Sequence, residues 1–125
     1  QALKLTRINQ ESLVFMFEKE GLPNVLFTAD SDLSFATSAI KIKEGSIVTA
    51  PHHGSAVNAK AYSKISGSNL YYVRSDRSQT KRPCCNYISK TNKYCTICRN
   101  KGPKQKVVLE YINKIMTISA KKCSC

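Results

Sequence analysis

Short apolar runs separated by turn-forming residues organise this chain, with few stretches of helical period. Ser12 to Glu18 (SLVFMFE) is apolar, with β-branched and aromatic members, and stops at the turn formers Glu20-Gly21-Leu22-Pro23-Asn24; strand, turn, strand is the natural reading. The next run, Val25 to Thr28, is short and almost wholly apolar, as a strand covered on both faces should be. Leu33, Ala36, Ala39, Ile40 and Lys43 fall on one approximate helical face and predict a short helix over 33–43. Ser46 to Ala50 predicts a strand stopped by Pro51, Asn58 to Ile65 a capped helix, and Leu70 to Val73 a further strand. Val107 to Tyr111 and Ile115 to Ile118 alternate with period two about Ile112-Asn113-Lys114 and predict a hairpin.

The order β-β-α-β-α-β predicts an α/β fold with α+β sandwich layers, in which polar groups just beyond strand ends are the usual place for a site. At 125 residues the chain makes one compact core at most, and no stretch approaches the roughly 18 consecutive apolar residues of a membrane helix. The chain opens on Gln1 and lacks the apolar segment and cleavage site of a signal peptide, so the expectation is a piece of a longer protein.

Charge divides the chain in two. Residues 1–73 carry seven Lys/Arg against six Asp/Glu, residues 74–125 thirteen against two, so that +11 of the net +12 lies after Val73. All six cysteines lie there as well. The expected organisation is a patterned α/β unit over 1–76 and a basic, cysteine-rich extension with a hairpin over 77–125. Such a basic surface attracts polyanions, or it is simply a solvated, solubilising face; composition leaves both open.

Two places carry candidate chemistry in the first unit. Asp30 follows Val25-Leu26-Phe27-Thr28-Ala29, where a rigid strand end would hold a carboxylate in position to ligate metal. His52 and His53, the only histidines, are delivered by a short strand to a Pro51-His52-His53-Gly54-Ser55 loop. Carboxylate oxygen and imidazole nitrogen suit zinc, manganese or iron, and a divalent ion lowers the pKa of bound water to about 7. Hydrolysis is the chemistry this set serves. Asp30 could equally cap a turn, and the histidines could be a hydrogen-bonded loop pair.

Ser12-Leu13-Val14-Phe15, then Val25 to Asp30, then Ile47-Val48-Thr49-Ala50-Pro51-His52-His53-Gly54-Ser55, resemble the later motifs of the metallo-β-lactamase superfamily, in particular its ComEC-like competence-protein branch. The resemblance covers roughly residues 8–76. It implies the C-terminal half of a metallo-β-lactamase αββα fold, with Asp30 as the metal-bridging aspartate and the His52/His53 pair supplying the last metal-binding histidine. Ala29 stands where that branch carries glycine, and Asn9 where many superfamily members carry histidine and this branch tends to carry asparagine. The superfamily's first metal motif, His-x-His-x-Asp-His or a His-x-Asp-x-Asp-His variant, is absent from this sequence. By family order it precedes these residues, so the fragment is expected to lack the missing N-terminal half of the fold and to be inactive alone.

In the extension, Cys95-Thr96-Ile97-Cys98 has the spacing of a zinc knuckle. The expected ligand set is Cys84, Cys95, Cys98 and Cys123, with Cys85 and Cys125 as alternatives for the second pair. Disulfides, for which six cysteines allow fifteen connectivities, are the competing reading. Arg74 and Arg77 are candidate clamps for a substrate phosphate, backed by Lys81 and Arg82, since arginine bonds phosphate bidentately. Tyr71, Tyr72 and Tyr87 could stack on bases or pack in the core, and packing is the favoured expectation.

The leading functional expectation is a metal-dependent hydrolase domain using zinc or manganese, directed at phosphodiesters or nucleic acid, with possible structural zinc at the cysteines. The alternative is a non-catalytic, zinc-stapled basic module that binds nucleic acid. A third is an inert incomplete product with an exposed sheet edge.

Overall fold

A computed structural model describes residues 12–76, 82–98 and 104–125. The architecture is mixed α/β, with much strand and little helix. Its centre is a five-stranded sheet of order β1-β2-β4-β6-β7. Strand β1 (Phe15–Phe17) lies antiparallel to β2 (Val25–Phe27), with Phe15 opposite Phe27 and Phe17 opposite Val25. From β2 onward the pairing is parallel: Val25 faces Ile47 of β4 (Ile47–Thr49), and Thr49 faces Val73 of β6 (Tyr71–Arg74). Strand β7 (Asn92–Cys95), drawn from the basic extension, pairs parallel with β6 and sets Arg74 opposite Cys95.

Alternation along these strands decides which face is buried. Val14, Leu26, Val48 and Tyr72 point inward and pack with Leu33, Ala61, Tyr62, Tyr87 and Cys95. Phe15, Phe17 and Phe27 point the other way and are exposed, and the rings of Phe15 and Phe27 stack with centroids 4.5 Å apart. Tyr72 and Tyr87 are therefore core residues.

No helix forms over 33–43. Leu33 takes a left-handed φ of 61°, and its N–H is bound by Ser31 Oγ at 3.0 Å, while Ser34 N–H is bound by Asp32 Oδ1 at 2.9 Å. Short polar side chains satisfy the backbone locally and so compete with a helix. The segment ends as β3 (Ile40–Lys41), paired parallel with β5 (Ile65–Ser66). The helix expected over 58–65 is a 3₁₀ helix, Ala56–Lys64, N-capped by Ser55. A four-residue helix α1 (Cys85–Ile88) precedes β7. The expected hairpin is present as β8 (Val108–Ile112) and β9 (Ile115–Ser119), joined by Asn113 and Lys114 at φ 51° and 62°. Two consecutive positive φ values make the tight turn whose twist matches paired strands.

Because β2, β4, β6 and β7 run parallel, their C-terminal ends lie at one edge of the sheet. That edge gathers Asp30, the histidine loop, Ser75 and Asp76, and the loop of Cys95 to Cys98. Among the described residues, no helix is long and apolar enough to cross a membrane.

Candidate metal centres at the sheet edge

Beyond β2 the chain turns sharply: Ala29 has a left-handed φ of 47°. Buried Thr28 anchors this turn to β4, its N–H bonding Thr49 Oγ1 at 2.9 Å and its hydroxyl donating to Thr49 O at 2.8 Å. Beyond β4, His52, His53 and Gly54 are left-handed in succession, at φ 46°, 54° and 83°. Such a run costs energy at each non-glycine residue and persists only where surrounding contacts impose it. Those contacts are on both sides of the loop: His52 N–H donates to Ala29 O at 2.8 Å, and Cys84 N–H donates to Gly54 O at 2.7 Å.

The two histidines diverge. His53 Nδ1 lies 2.7 Å from the carbonyl oxygen of Ser75, an atom that only accepts, so Nδ1 carries the proton. In the neutral ring Nε2 then keeps its lone pair, and it lies 3.9 Å from Asp30 Oδ1, with both side chains a little over two-fifths exposed. This span is shorter than two metal–ligand bonds of about 2.0–2.2 Å laid end to end, and a histidine whose other nitrogen bonds a carbonyl is the usual form of a metal ligand. His53 and Asp30 line one cavity of 370 Å³ with Leu13, Phe15, Thr49 and Ser75.

His52 turns instead to Asn58, with Nδ1 and Oδ1 2.8 Å apart. Asn58 Nδ2 donates to Asp30 O at 2.8 Å, so Asn58 braces the histidine loop against the aspartate loop. In the sequence Asn58 carries only the signal of a helix start, and nothing in its residue type or spacing marks it as a tie between the two loops. Ser75 is unmarked too, because it acts through its backbone and its residue type carries no signal.

Arg74, expected at a substrate phosphate, is fully buried at 0% exposure and sits 3.4 Å from Asp76 Oδ2, with Nη1 donating to Ile97 O at 3.3 Å. Arg82 Nε approaches the same Asp76 oxygen at 3.1 Å. The Arg74 guanidinium is thus occupied beneath the histidine loop, close under Gly54, and does not face the cavity. Arg77, the other candidate clamp, and Lys81 and Asn9 lie outside the described residues.

A second group stands at the end of β7. Cys95, Cys123 and Cys125 bring their sulfurs together in a geometry that could hold a metal ion. Cys98 joins them: its Sγ lies 3.4 Å from that of Cys123 and 3.6 Å from that of Cys125, while Cys95 lies 2.7 Å from Cys123 and 3.8 Å from Cys125. Each Cys-x-x-Cys sulfur therefore touches both tail sulfurs. Cys84, expected as a ligand, is not in this group; it is buried at the start of α1, and Cys125 takes its place. All six cysteines are thiols.

The environment tunes these thiols unequally. Burial pushes the Cys98 thiol up, but hydrogen bonds from the Ser124 hydroxyl and N–H, with those to Cys123 and Cys125, outweigh it and bring its pKa down to about 7. The Cys123 thiol is driven well above its ordinary value, first by its contact with Cys95 and then by burial. Tyr87 lies against this group, its hydroxyl 3.2 Å from Cys95 Sγ.

A somewhat larger cavity, 420 Å³, sits at the opposite end of the parallel strands among Pro23, Lys43, Glu44, Tyr71, Tyr111 and Lys114. It contains one carboxylate and no histidine or cysteine, so it lacks the donors for a metal centre.

Comparison with family models, curated proteins and solved structures gives no match to this chain.

Proposed function

We propose that this chain is the C-terminal half of a metal-dependent hydrolase of metallo-β-lactamase fold, directed at phosphodiesters, with a structural ion at the cysteine cluster. One observation carries the hydrolase reading. His53 presents a lone pair towards Asp30 from across a cavity, with its other nitrogen fixed on Ser75 O. A divalent ion held there would supply Lewis acidity and lower the pKa of a bound water to about 7. Asp30 and His53 are its ligands on this side. A centre with two metals takes more ligands than these, and the reading assigns them to a segment bearing the His-x-His-x-Asp-His-like motif.

His52 has a different role in this proposal. It locks the loop to Asn58 and so keeps His53 turned towards Asp30. The strongly basic stretch after Val73 supports an anionic substrate through long-range attraction, with no single arginine assigned as a clamp.

Manganese tests the reading, because it prefers oxygen and nitrogen donors and avoids thiolates. Titrated into the protein, Mn²⁺ should broaden the NMR signals of His53 and Asp30 before any others, and His53→Ala should abolish the effect. Broadening that starts elsewhere, or that survives His53→Ala and Asp30→Ala, rejects the metal centre. The second reading, a non-catalytic basic module that binds nucleic acid, gains from the burial of Arg74 and the well-formed cysteine group. It predicts nucleic-acid binding unchanged in Asp30→Ala and His53→Ala proteins and no manganese effect at either residue.

A further inference from the structure

Resting on the reading of the cysteine cluster as a metal site, we propose that Cys95, Cys98, Cys123 and Cys125 hold one zinc ion in a closed tetrathiolate site, which clasps the C-terminal tail onto the end of β7.

Four contacts form a ring in which Cys95 and Cys98 each touch Cys123 and Cys125. Disulfides would pair these sulfurs two by two. A ring of alternating partners has a shared centre instead, and zinc–sulfur bonds of about 2.3 Å set tetrahedral sulfurs about 3.8 Å apart. Three of the four contacts, 3.4, 3.6 and 3.8 Å, are near that spacing. The fourth, Cys95 to Cys123 at 2.7 Å, opens by about 1 Å to admit the ion, and Cys98, which stands outside the group of three sulfurs already within 4.8 Å of one another, closes towards Cys95.

The surroundings suit thiolates. Ser124 N–H points at Cys98 Sγ at 3.1 Å, and Cys125 N–H at Cys123 Sγ at 3.4 Å. Hydrogen bonds from amides to an anionic acceptor are the stronger kind. Four thiolates on a divalent ion leave about two surplus negative charges, and residues 74–125, with thirteen Lys/Arg against two Asp/Glu, offset them. With four protein ligands the site has no open position for water, so its role is structural.

What it fastens is visible in the backbone. Cys123 N–H bonds Lys93 O at 2.8 Å, which lays the tail alongside β7. Gln105 bridges both partners: its Nε2 donates to Cys95 O at 2.8 Å and Lys121 O at 3.1 Å, and its Oε1 accepts from Lys121 N–H. Cys123 is the buried anchor of the tail. A metal joining two ligands from the strand end to two from the tail closes a loop of nearly thirty residues, which removes more freedom from the unfolded chain than a short crosslink does.

Cobalt reports the donor set. The full chain, reduced and stripped of metal, should bind one equivalent of Co²⁺ with the thiolate charge-transfer and ligand-field bands of a tetrahedral four-sulfur site, and Zn²⁺ should displace it. Cys84→Ser should leave these bands unchanged. Cys98→Ser and Cys125→Ser should weaken binding at least about 100-fold, beyond the 10–100-fold that outer-shell changes cost. Cys125→His keeps a ligand where serine removes one, and it should shift the bands to those of a three-sulfur, one-nitrogen site. No cobalt binding overturns the cluster as a metal site altogether. Binding with fewer than four sulfurs, or lost in Cys84→Ser, overturns the tetrathiolate clasp while leaving a metal site in place.

Discussion

Nδ1 of His53 donates to the carbonyl oxygen of Ser75 across 2.7 Å, and with the ring so held its Nε2, unlike that of His52, lies 3.9 Å from Asp30 Oδ1. The bond links the end of β4 to the end of β6 and turns Nε2 towards Asp30. His52, one residue earlier, spends its Nδ1 on Asn58 instead. The expected outcome is a split between two substitutions. His53→Ala should remove divalent-metal binding at Asp30, whereas His52→Ala should retain it with an affinity lowered by roughly 10–100-fold, the cost of an outer-shell contact. Calorimetric titration with Mn²⁺ checks this, and equal losses in both proteins would assign both histidines to the metal.

Asn58 should behave as a brace. Its amide is satisfied on both sides, by His52 and by the Asp30 carbonyl, and the residue is buried. Asn58→Ala leaves an imidazole N–H and a carbonyl without their partner; one such loss costs about 1–3 kcal/mol when fully buried, and as both contacts are only part-buried the two together should cost about that much. Chemical denaturation should show a loss within that range, with Asn58→Asp recovering part of it through an acceptor for His52. A change below about 0.5 kcal/mol, the usual size for a surface substitution, would contradict the brace.

Backbone strain gives a paired prediction of opposite sign. Ala29 and Gly54 both lie at positive φ, 47° and 83°. Ala29→Gly relieves about 1–2 kcal/mol of left-handed strain and loses about 0.4–1 kcal/mol to the freer unfolded chain, so the protein should gain roughly 0.5–1 kcal/mol. Gly54→Ala meets the reverse balance and worse: its Cβ would sit 3.1 Å from Pro83 Cβ and 3.2 Å from Arg74 Cδ. It should cost more than 1 kcal/mol. Thermal unfolding of the two variants checks both signs.

The parts of this arrangement that sequence could reveal are those written in residue type and short spacing. Apolar runs bounded by turn formers located β1, β2, β4, β6 and the hairpin, since alternation and Gly/Pro punctuation act locally. The helix expected over 33–43 does not form because Ser31 and Asp32 capture backbone amides, an outcome that a count of apolar spacing does not weigh. Strand β7 was hidden for a different reason. Asn92-Lys93-Tyr94-Cys95 is mostly polar and becomes a strand only by pairing with β6. The same pairing draws Cys95 under the tail and makes Cys125 the partner that chain distance could not distinguish from Cys84. Arg74 reads as surface charge in sequence, yet strand alternation turns it inward, opposite Cys95, where Asp76 receives it.

Asp76 should consequently be among the most sensitive charged positions. It sits between Arg74 and Arg82, with its side chain only 2% exposed. Removing one partner from a buried ion pair costs about 3–5 kcal/mol, because the remaining charge stays buried. Asp76→Ala should lose stability on that scale. The double variant Arg74→Met with Asp76→Ala should recover much of the loss, since the fully buried guanidinium goes with its partner and only Arg82, whose side chain is 18% exposed, loses Asp76. A double variant as unstable as the sum of its singles would show that the two side chains do not act as a pair.

Metal removal should loosen the molecule locally before it unfolds globally. Ligand binding to the folded form alone stabilises it by an amount that grows with the logarithm of ligand concentration over Kd, about 4 kcal/mol at 1,000-fold. At the cysteine clasp this stabilisation falls on opening of the tail. The amide of Cys123, bonded to Lys93 O, and that of Gln105, bonded to Thr96 O, report that opening directly. In hydrogen exchange, chelation should accelerate both amides by orders of magnitude, while Ile47, whose N–H bonds Asn24 O in the central sheet, slows or speeds far less. If all three amides accelerate together, the ion stabilises the whole fold and no separate tail opening exists. If none changes, the tail is held by Gln105 and the core without help from the metal.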